Sequence, residues 1–174
     1  MHPSVPIGED GSKNGEIQSG ITETSANTFY NVTNAYYEKV LDDSPLNRIV
    51  QSAYPGDDWM KNSGHTVRYL YQTNTSQDKV KKYETSTTWD SINKIYISDV
   101  SQDTYYSDNT LYKYIVTDEN NNINIIFKDL SGKIVLIRKN DGINNIDTYY
   151  VYNEYNNIAF IIPPLVELET TLDQ

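Results

Sequence analysis

The sequence predicts an all-β protein. Its 174 residues are rich in tyrosine, isoleucine and threonine, which favour strands, and in asparagine, which favours turns. Segments such as residues 65–74, HTVRYLYQTN, alternate with the period of two that is typical of a strand. Pro-Gly and Asp-Gly pairs separate these segments, as turns do. We therefore expect twisted antiparallel hairpins.

The strand-like segments follow one another with short polar breaks. Residues 28–41, TFYNVTNAYYEKVL, begin the series and contain the one helix candidate, residues 35–41, which should reach one turn at most. Ser44-Pro45 and Pro55-Gly56 then enclose a short strand. Residues 110–129 indicate two strands joined at a polar turn over residues 118–122. Asn140-Asp141-Gly142 marks the last hairpin but one.

Three regions are predicted along the chain. Glycine, serine, asparagine and glutamate dominate residues 1–27, which favours an irregular polar arm or linker. Residues 28–165 form one all-β domain, and residues 166–174 form a C-terminal tail.

Composition excludes several classes of function. A net charge of −10 argues against nucleic acid and against anionic membrane surfaces. No apolar run approaches the ~20 residues of a membrane-spanning helix. The absence of cysteine excludes disulfides and thiolate chemistry. Because Met1-His2-Pro3 opens onto polar sequence, no signal peptide is expected in this chain.

A nine-residue segment repeats. Residues 129–137, DLSGKIVLI, align with residues 153–161, NEYNNIAFI, and residues 44–52 form a third copy, SPLNRIVQS. Each copy starts with Asp, Asn or Ser, which begins a turn by bonding the backbone two residues on. Gly or Asn, three residues later, tolerates the left-handed conformation. The predicted turn residues are Ser44, Asn47, Asp129, Gly132, Asn153 and Asn156, in repeats near residues 44–56, 125–138 and 149–162.

This pattern resembles the YD repeat of the bacterial RHS (rearrangement hot spot) family. There, an aromatic strand is followed by Tyr-Asp, a short gap, Gly-Arg or Gly-Asn, and an apolar strand. The ordered segments SPLNRIVQSAYPGDDW, TVRYLYQTNT, LYKYIVTDEN, GKIVLIRK and DTYYVYNEYNNIAFIIPPL are similar to an uncharacterised domain at the entrance to the YD-repeat region of large RHS proteins. The similarity covers residues 29–165. Asn153 and Asn156 replace the usual Asp and Gly and keep the turn chemistry.

The resemblance implies a structural, non-catalytic role. RHS proteins wind their repeats into a hollow β-shell around a C-terminal toxin, so this chain would be a segment of that shell in a polymorphic toxin. Its partners would be adjacent repeats and the enclosed toxin, and an open sheet edge would allow a homodimer by strand addition. The location implied is secreted or at the bacterial cell surface, as part of a larger protein.

No residue is expected to be catalytic or to bind a cofactor. His65 is the only internal histidine, no sequence feature gives it a partner, and Ser63-Gly64-His65 lacks the Gly-x-Ser-x-Gly pattern of a hydrolase. Asp57 and Asp58 are neighbours on a turn and point apart, whereas glycoside hydrolysis needs two carboxylates that face each other across a sugar.

No metal site is expected either. Asp118, Asn120 and Asn122 alternate as in a calcium loop, but Ile123 and Asp129 stand where that loop needs Gly and Glu. A hairpin turn is therefore favoured for these residues.

The tyrosines of residues 147–164, DTYYVYNEYNNIAFIIPP, have two interpretations. In a strand, Tyr150 and Tyr152 share one face while Tyr149 and Val151 share the other. Cross-strand packing in a sheet is favoured over a platform that stacks sugars or peptides. The residues expected to pack in the core are Trp59, Trp89, Phe127 and Tyr152.

Other functions remain open. A β-sandwich binding module would present tyrosines to a glycan or protein partner as one exposed aromatic patch. An enzyme would hold His65 or paired acids with shifted pKa values in a pocket. A small effector or immunity protein would suit the acidic composition, although the repeats argue against it.

Overall fold

The protein is all-β, as the sequence predicts. The computed structural model describes residues 27, 28, 31–140 and 143–164. The predicted tail, most of the predicted arm, and Asp141-Gly142 lie outside the described residues. The strands are β1 (Glu38–Leu41), β2 (Ile49–Ala53), β3 (Val67–Thr73), β4 (Lys81–Asp90), β5 (Ile95–Tyr105), β6 (Tyr112–Thr117), β7 (Ile123–Lys128), β8 (Ile134–Asn140), β9 (Asn145–Tyr152) and β10 (Ile158–Ile162).

Eight of these strands form one sheet. Their order is β1-β2-β3-β6-β7-β8-β9-β10, and β4 and β5 form a separate antiparallel hairpin. Strands β7 to β10 pair antiparallel with their sequence neighbours. Within the described ranges, no helix is long and apolar enough to cross a bilayer.

The chain divides into two compact units. Of the described residues, unit 1 contains those within 1–70 and 116–122, and unit 2 contains those within 71–115 and 123–174. The sequence-based limits at residues 27 and 165 stay predictions.

The buried core of unit 2 lies between the sheet and the β4–β5 hairpin. Phe127 and Leu136 are fully buried, and register places Leu136 beside both Phe127 and Tyr149. Tyr83 of the hairpin packs edge-on against Tyr149, with ring centroids 5.0 Å apart. Burial of such side chains stabilises each by about 1.5–3 kcal/mol. The core cluster comprises Val80, Leu111, Phe127, Val135, Leu136, Tyr149, Val151 and Ile162.

The hairpin covers the sheet with its base only. At the base, Val100 packs against the core and Thr85 donates a hydrogen bond to the carbonyl of Tyr152 at 3.3 Å. Further out, residues 86–99 are exposed apart from the partly buried Asp90. The distal half of the hairpin therefore projects beyond the core.

Two tryptophans predicted for the core are not in it. Trp89 is 50% exposed because it lies on the projecting half of β4, where its ring contacts Tyr96 at 4.8 Å. Trp59 is 40% exposed because it covers Gly56 in a turn and meets the edge of His65. The core prediction is wrong for both residues, since each packs locally. Tyr152 is half-buried and lies outside the core cluster.

Unit 1 is held by polar contacts around a short β-structure. Asn34 is buried, and its amide donates to the carbonyls of Tyr36 and Tyr54. The backbone carbonyl of Asn34 accepts a hydrogen bond from the N–H of Gly56 at 2.7 Å. The predicted helix at residues 35–41 is wrong, because Glu38–Leu41 instead pairs with β2 as strand β1.

Candidate functional site

Three five-residue turns share one hydrogen-bonded frame, and they are called here the repeat turns. They are Asp118–Asn122, Asp129–Lys133 and Asn153–Asn157. In each turn, the N–H of the fourth residue donates to the carbonyl of the first at 2.9–3.0 Å. The N–H of the first residue donates to the carbonyl of the fifth, also at 2.9–3.0 Å. The same frame thus ends β6, β7 and β9 and starts β7, β8 and β10.

The first side chain of each repeat turn organises the loop. Its Oδ1 accepts hydrogen bonds from the N–H groups of the third and fifth residues at 2.8–3.0 Å. An Asp or Asn at this position therefore satisfies two backbone donors that the turn would leave unpaired. Hydrogen bonds from Asn122, foremost its side-chain amide, lower the pKa of Asp118.

The fourth residue of each repeat turn has a positive φ. The angles are 64° at Asn121, 87° at Gly132 and 65° at Asn156. This is the geometry of a three-residue hairpin loop, a type I turn followed by one left-handed residue. Only Gly, Asn and Asp adopt that conformation at low cost, which explains the residue types at this position.

The turn near Ser44 is a longer version. Asn47, with φ of 47°, donates its N–H to the carbonyl of Ser44 at 3.0 Å. The acceptor that closes the loop is Asp42, whose Oδ1 receives the N–H of Arg48 at 3.0 Å and the hydroxyl of Ser44 at 2.7 Å. These bonds, led by that from Ser44, lower the pKa of Asp42 to about 2.

The second and third repeat turns are linked side by side. The ammonium of Lys133 donates to the side-chain carbonyl of Asn156 and lies 5.3 Å from the ring centre of Tyr152. The hydroxyl of Tyr152 donates to the carbonyl of Ile134 at 3.0 Å. The aromatic residue that precedes the third turn thus fixes the start of the strand that follows the second.

Substitution at Gly132 tests the left-handed turn. A Cβ at this position meets nothing within 4 Å, so only backbone strain opposes a larger residue. We expect Gly132→Val to lower the free energy of unfolding by about 1–2 kcal/mol, and Gly132→Asn to cost less than about 1 kcal/mol. Urea unfolding measures both, with Ser131→Val as the matched control in the same turn. Equal stability of the valine variant and the native protein would show that the turn assignment is wrong.

Two buried polar groups of unit 2 were missed from the sequence. Asn74 is fully buried and closes the loop at residues 107–111. Its amide donates to the carbonyl of Ser107 at 2.8 Å, and its Oδ1 accepts the N–H groups of Thr110 and Leu111 at 3.0 and 2.7 Å. Nothing in the local sequence marks this residue, because all its partners lie more than thirty positions away.

Arg138 is the second missed group. It is 7% exposed, and it binds both carboxylate oxygens of Asp147 at 2.7 and 2.8 Å. It also donates to the carbonyl of Asp78 at 2.8 Å, while the carboxylate of Asp78 pairs with Lys113 at 2.6 Å. The bidentate pair with Asp147 raises the pKa of Arg138. The alternation of side chains along a strand could have predicted that Arg138 is buried, because it shares the inward face of β8 with Leu136.

Tyr149 joins this cluster and makes the fold sensitive to alkali. Burial raises the pKa of Tyr149 to about 12, whereas the backbone N–H of Lys81 opposes the rise. The unfolded tyrosine ionises near its ordinary pKa of 10, so the unfolded state releases its proton first. We expect the ionisation of Tyr149 by itself to lower the free energy of unfolding by about 2 kcal/mol between pH 10 and pH 12.

Chemical denaturation at successive pH values measures this loss. Tyr149→Phe should remove the part of the loss in unfolding free energy that this tyrosine causes above pH 10. Tyr155→Phe is the control, because Tyr155 is exposed in a turn and its replacement should leave the loss unchanged. A decline of unchanged slope in Tyr149→Phe would contradict the assignment.

The other candidates considered for chemistry have structural partners. The carboxylate of Asp57 accepts hydrogen bonds from the N–H and the hydroxyl of Thr33 at 2.7 and 2.6 Å. These bonds, chiefly the one from the hydroxyl, lower the pKa of Asp57. The Nδ1 of His65 lies 3.2 Å from the carbonyl of Glu119. Among the described residues, no cluster of three or more histidine, aspartate and glutamate side chains could hold a metal ion.

Comparison with protein families gives one match. Residues 5–73 are similar to the family described as Domain of unknown function (DUF6443). The matched range includes strands β1 to β3 and the turn at Asn47. No curated protein and no solved structure matches the chain.

Proposed function

We propose that this chain is a structural, non-catalytic segment of an RHS-type β-shell, which in the full-length parent would enclose a C-terminal toxin. The observation that carries the proposal is the repeat turn, which occurs with the same hydrogen bonds at Asp118, Asp129 and Asn153. Each copy joins two strands that are consecutive both in sequence and in the sheet.

Repetition of one turn gives the chain a way to extend a sheet. A turn with fixed hydrogen bonds and one left-handed residue sets the register of the strand that follows. Repeat architectures need such units, because each unit buries its apolar surface against its neighbours in the chain. The sequence resemblance to YD repeats falls on the turns at Asp129 and Asn153, and the family match at residues 5–73 precedes all three turns.

Partners and location follow from the same proposal. The chain would contact adjacent repeats and the enclosed toxin, in a secreted or surface-bound bacterial protein. No cofactor is part of this role.

Electron microscopy of the complete gene product tests the proposal. We expect a closed hollow particle whose wall contains this segment, located by an epitope tag inserted at exposed Ile92 on the hairpin tip. A compact solid particle, or a gene product that ends near Gln174, would contradict the shell.

A binding module is the second candidate, favoured by the exposed Trp89–Tyr96 pair. These rings lie 4.8 Å apart on the projecting hairpin, where Tyr96 is 73% exposed. If the chain is a binding module, a glycan array should identify a ligand, and Trp89→Ala should lower the affinity for that ligand at least tenfold. Trp59→Ala, at a tryptophan of similar exposure, is the matched control. Equal losses in both variants, or an array without a ligand, would argue against this role.

A further inference from the structure

Four strands have a strand neighbour on one side only, within the residues that the structure describes. They are β1 and β10, which end the eight-stranded sheet, and β4 and β5, which form the hairpin. An edge strand presents unpaired N–H and C=O groups, and charged side chains are a common protection against pairing with another strand. Charged residues occur in β1, β4 and β5, whereas β10, with the sequence IAFII, has none. β10 is therefore the unprotected edge of the four.

The contrast is clearest between the two ends of the eight-stranded sheet. β1 has four residues, among them Glu38 and Lys39, and the ammonium of Lys61 binds the carboxylate of Glu38 at 2.8 Å. In β10, Ile158 is 52% exposed and Ile161 is 56% exposed. An apolar strand whose backbone is open on one side thus faces water, and this combination favours the addition of another strand.

Register identifies the backbone groups of β10 that point away from β9. The turn before β10 closes with a hydrogen bond from the N–H of Asn153 to the carbonyl of Asn157. Hydrogen-bonded and non-hydrogen-bonded pairs then alternate along an antiparallel ladder. Register places Ile158 and Ile161 in the non-hydrogen-bonded positions, with a bulge at Ala159 between them. The N–H and C=O groups of Ile158 and Ile161 therefore point to the open edge.

Two features favour a second copy of β10 as the strand that pairs with this edge. Pro163-Pro164 follow β10 directly, and a two-residue hairpin loop needs a positive φ at its first residue, which proline cannot adopt. The chain therefore cannot return onto β10 through such a loop. The chain also carries a net charge of −10, so contact through its charged edges brings like charges together, whereas two β10 strands meet without any charge.

We propose that two copies of the chain join their β10 strands antiparallel, about a two-fold axis perpendicular to the sheet. Ile158 of each copy then lies opposite Ile161 of the other, and these two pairs exchange the hydrogen bonds that the edge leaves open. The side chains of Phe160 and Ile162 stay on the core side of both sheets.

β10 is short, so the dimer is weak. Five residues at about 3.4 Å each give an edge about 17 Å long. Such a contact buries much less than the ~800 Å² per partner of a standard interface. We expect a Kd on the order of 10⁻⁴ M. The dimer does not require the proposed shell, because β10 lies wholly within this chain.

Ile161→Pro tests the pairing, and sedimentation velocity between about 1 μM and 1 mM measures it. Proline removes the open N–H of residue 161 and leaves the hydrogen bonds to β9 in place. The substitution is expected to abolish the dimer, whereas Ile161→Val, the matched control, keeps Kd within about threefold of the native value. If circular dichroism shows that Ile161→Pro does not fold, Ile161→Lys takes its place and raises Kd at least about fivefold. A chain that stays monomeric up to about 1 mM overturns the proposal, and so does a dimer whose Kd neither substitution changes.

Amide hydrogen exchange followed by NMR locates the contact in the native chain. The N–H groups of Ile158 and Ile161 should exchange freely at about 10 μM and become protected at about 1 mM. The N–H of Ile162, which points to β9, is the control and should be protected at both concentrations. Protection of Ile158 and Ile161 at both concentrations would show that the same chain covers its own edge. That result overturns the proposal, as does free exchange of both groups in a dimer, which would place the contact elsewhere.

Discussion

Replacement of Asn74 by leucine is expected to lower the free energy of unfolding by about 3–5 kcal/mol. Leucine has a similar volume but no polar atoms, so the substitution removes the hydrogen bonds of the side chain. The N–H groups of Thr110 and Leu111 then lose their partner inside the protein, whereas the carbonyl of Ser107 keeps the hydrogen bond from the hydroxyl of Thr110. Each buried group left unsatisfied costs about 1–3 kcal/mol.

Urea unfolding followed by circular dichroism measures the effect. Asn120→Leu is the matched control, because Asn120 is exposed in the first repeat turn and contributes only its backbone N–H. That control should change stability by no more than about 0.5 kcal/mol. A similar small change in Asn74→Leu would mean that water reaches the loop at residues 107–111, contrary to the burial seen here.

Replacement of Arg138 by methionine is expected to cost about 3–5 kcal/mol. Methionine fills part of the same space but leaves the carboxylate of Asp147 without its bidentate partner. It also removes the donor to the carbonyl of Asp78, which holds the turn before β4. An unpaired charge at a mostly buried position is the main source of the loss.

A double variant separates pairing from packing. Arg138→Met with Asp147→Leu should recover part of the loss, because both charges are then absent. Lys82→Met breaks the exposed pair with Glu84 and is the control, with an expected change within about 0.5 kcal/mol. Thermal unfolding at low and high salt measures the stability of all three variants. Equal losses in the single and double variants would show that the guanidinium acts by packing alone.

Local chemistry made the turns predictable from the sequence. Asp129 acts on Gly132, and Asn153 on Asn156, within three residues along the chain. Residue type alone limits such short contacts. The turn at Asp118 was interpreted as a hairpin but not as a copy of the repeat. Its spacing of Asp118 to Asn121 matches that of Asn153 to Asn156, and this signal was available.

Long-range partners set the limit of the sequence prediction. Asn74 depends on residues that only the folded chain brings close, and it has no local mark. Arg138 also depends on such residues, although its place on the inward face of β8 could have indicated that it is buried. Trp59 and Trp89 were assigned to the core by residue type, yet a side chain is buried only where another layer covers it. The β4–β5 hairpin covers the sheet at its base and leaves Trp89 beyond it. Asp42 was missed because its loop is two residues longer than the repeat turns.

Exchange of one repeat turn for another tests the central claim, that a single turn unit adds successive strands to this sheet. Residues 129–132, DLSG, would be replaced by DENN from residues 118–121, with Lys133 kept. The account predicts a folded protein within about 1 kcal/mol of the native stability, with the β7–β8 amide protons still protected from exchange. Replacement by DLSV is the control, since its fourth residue cannot adopt the left-handed conformation at low cost. Loss of protection in β7 and β8 of the DENN protein would contradict the claim.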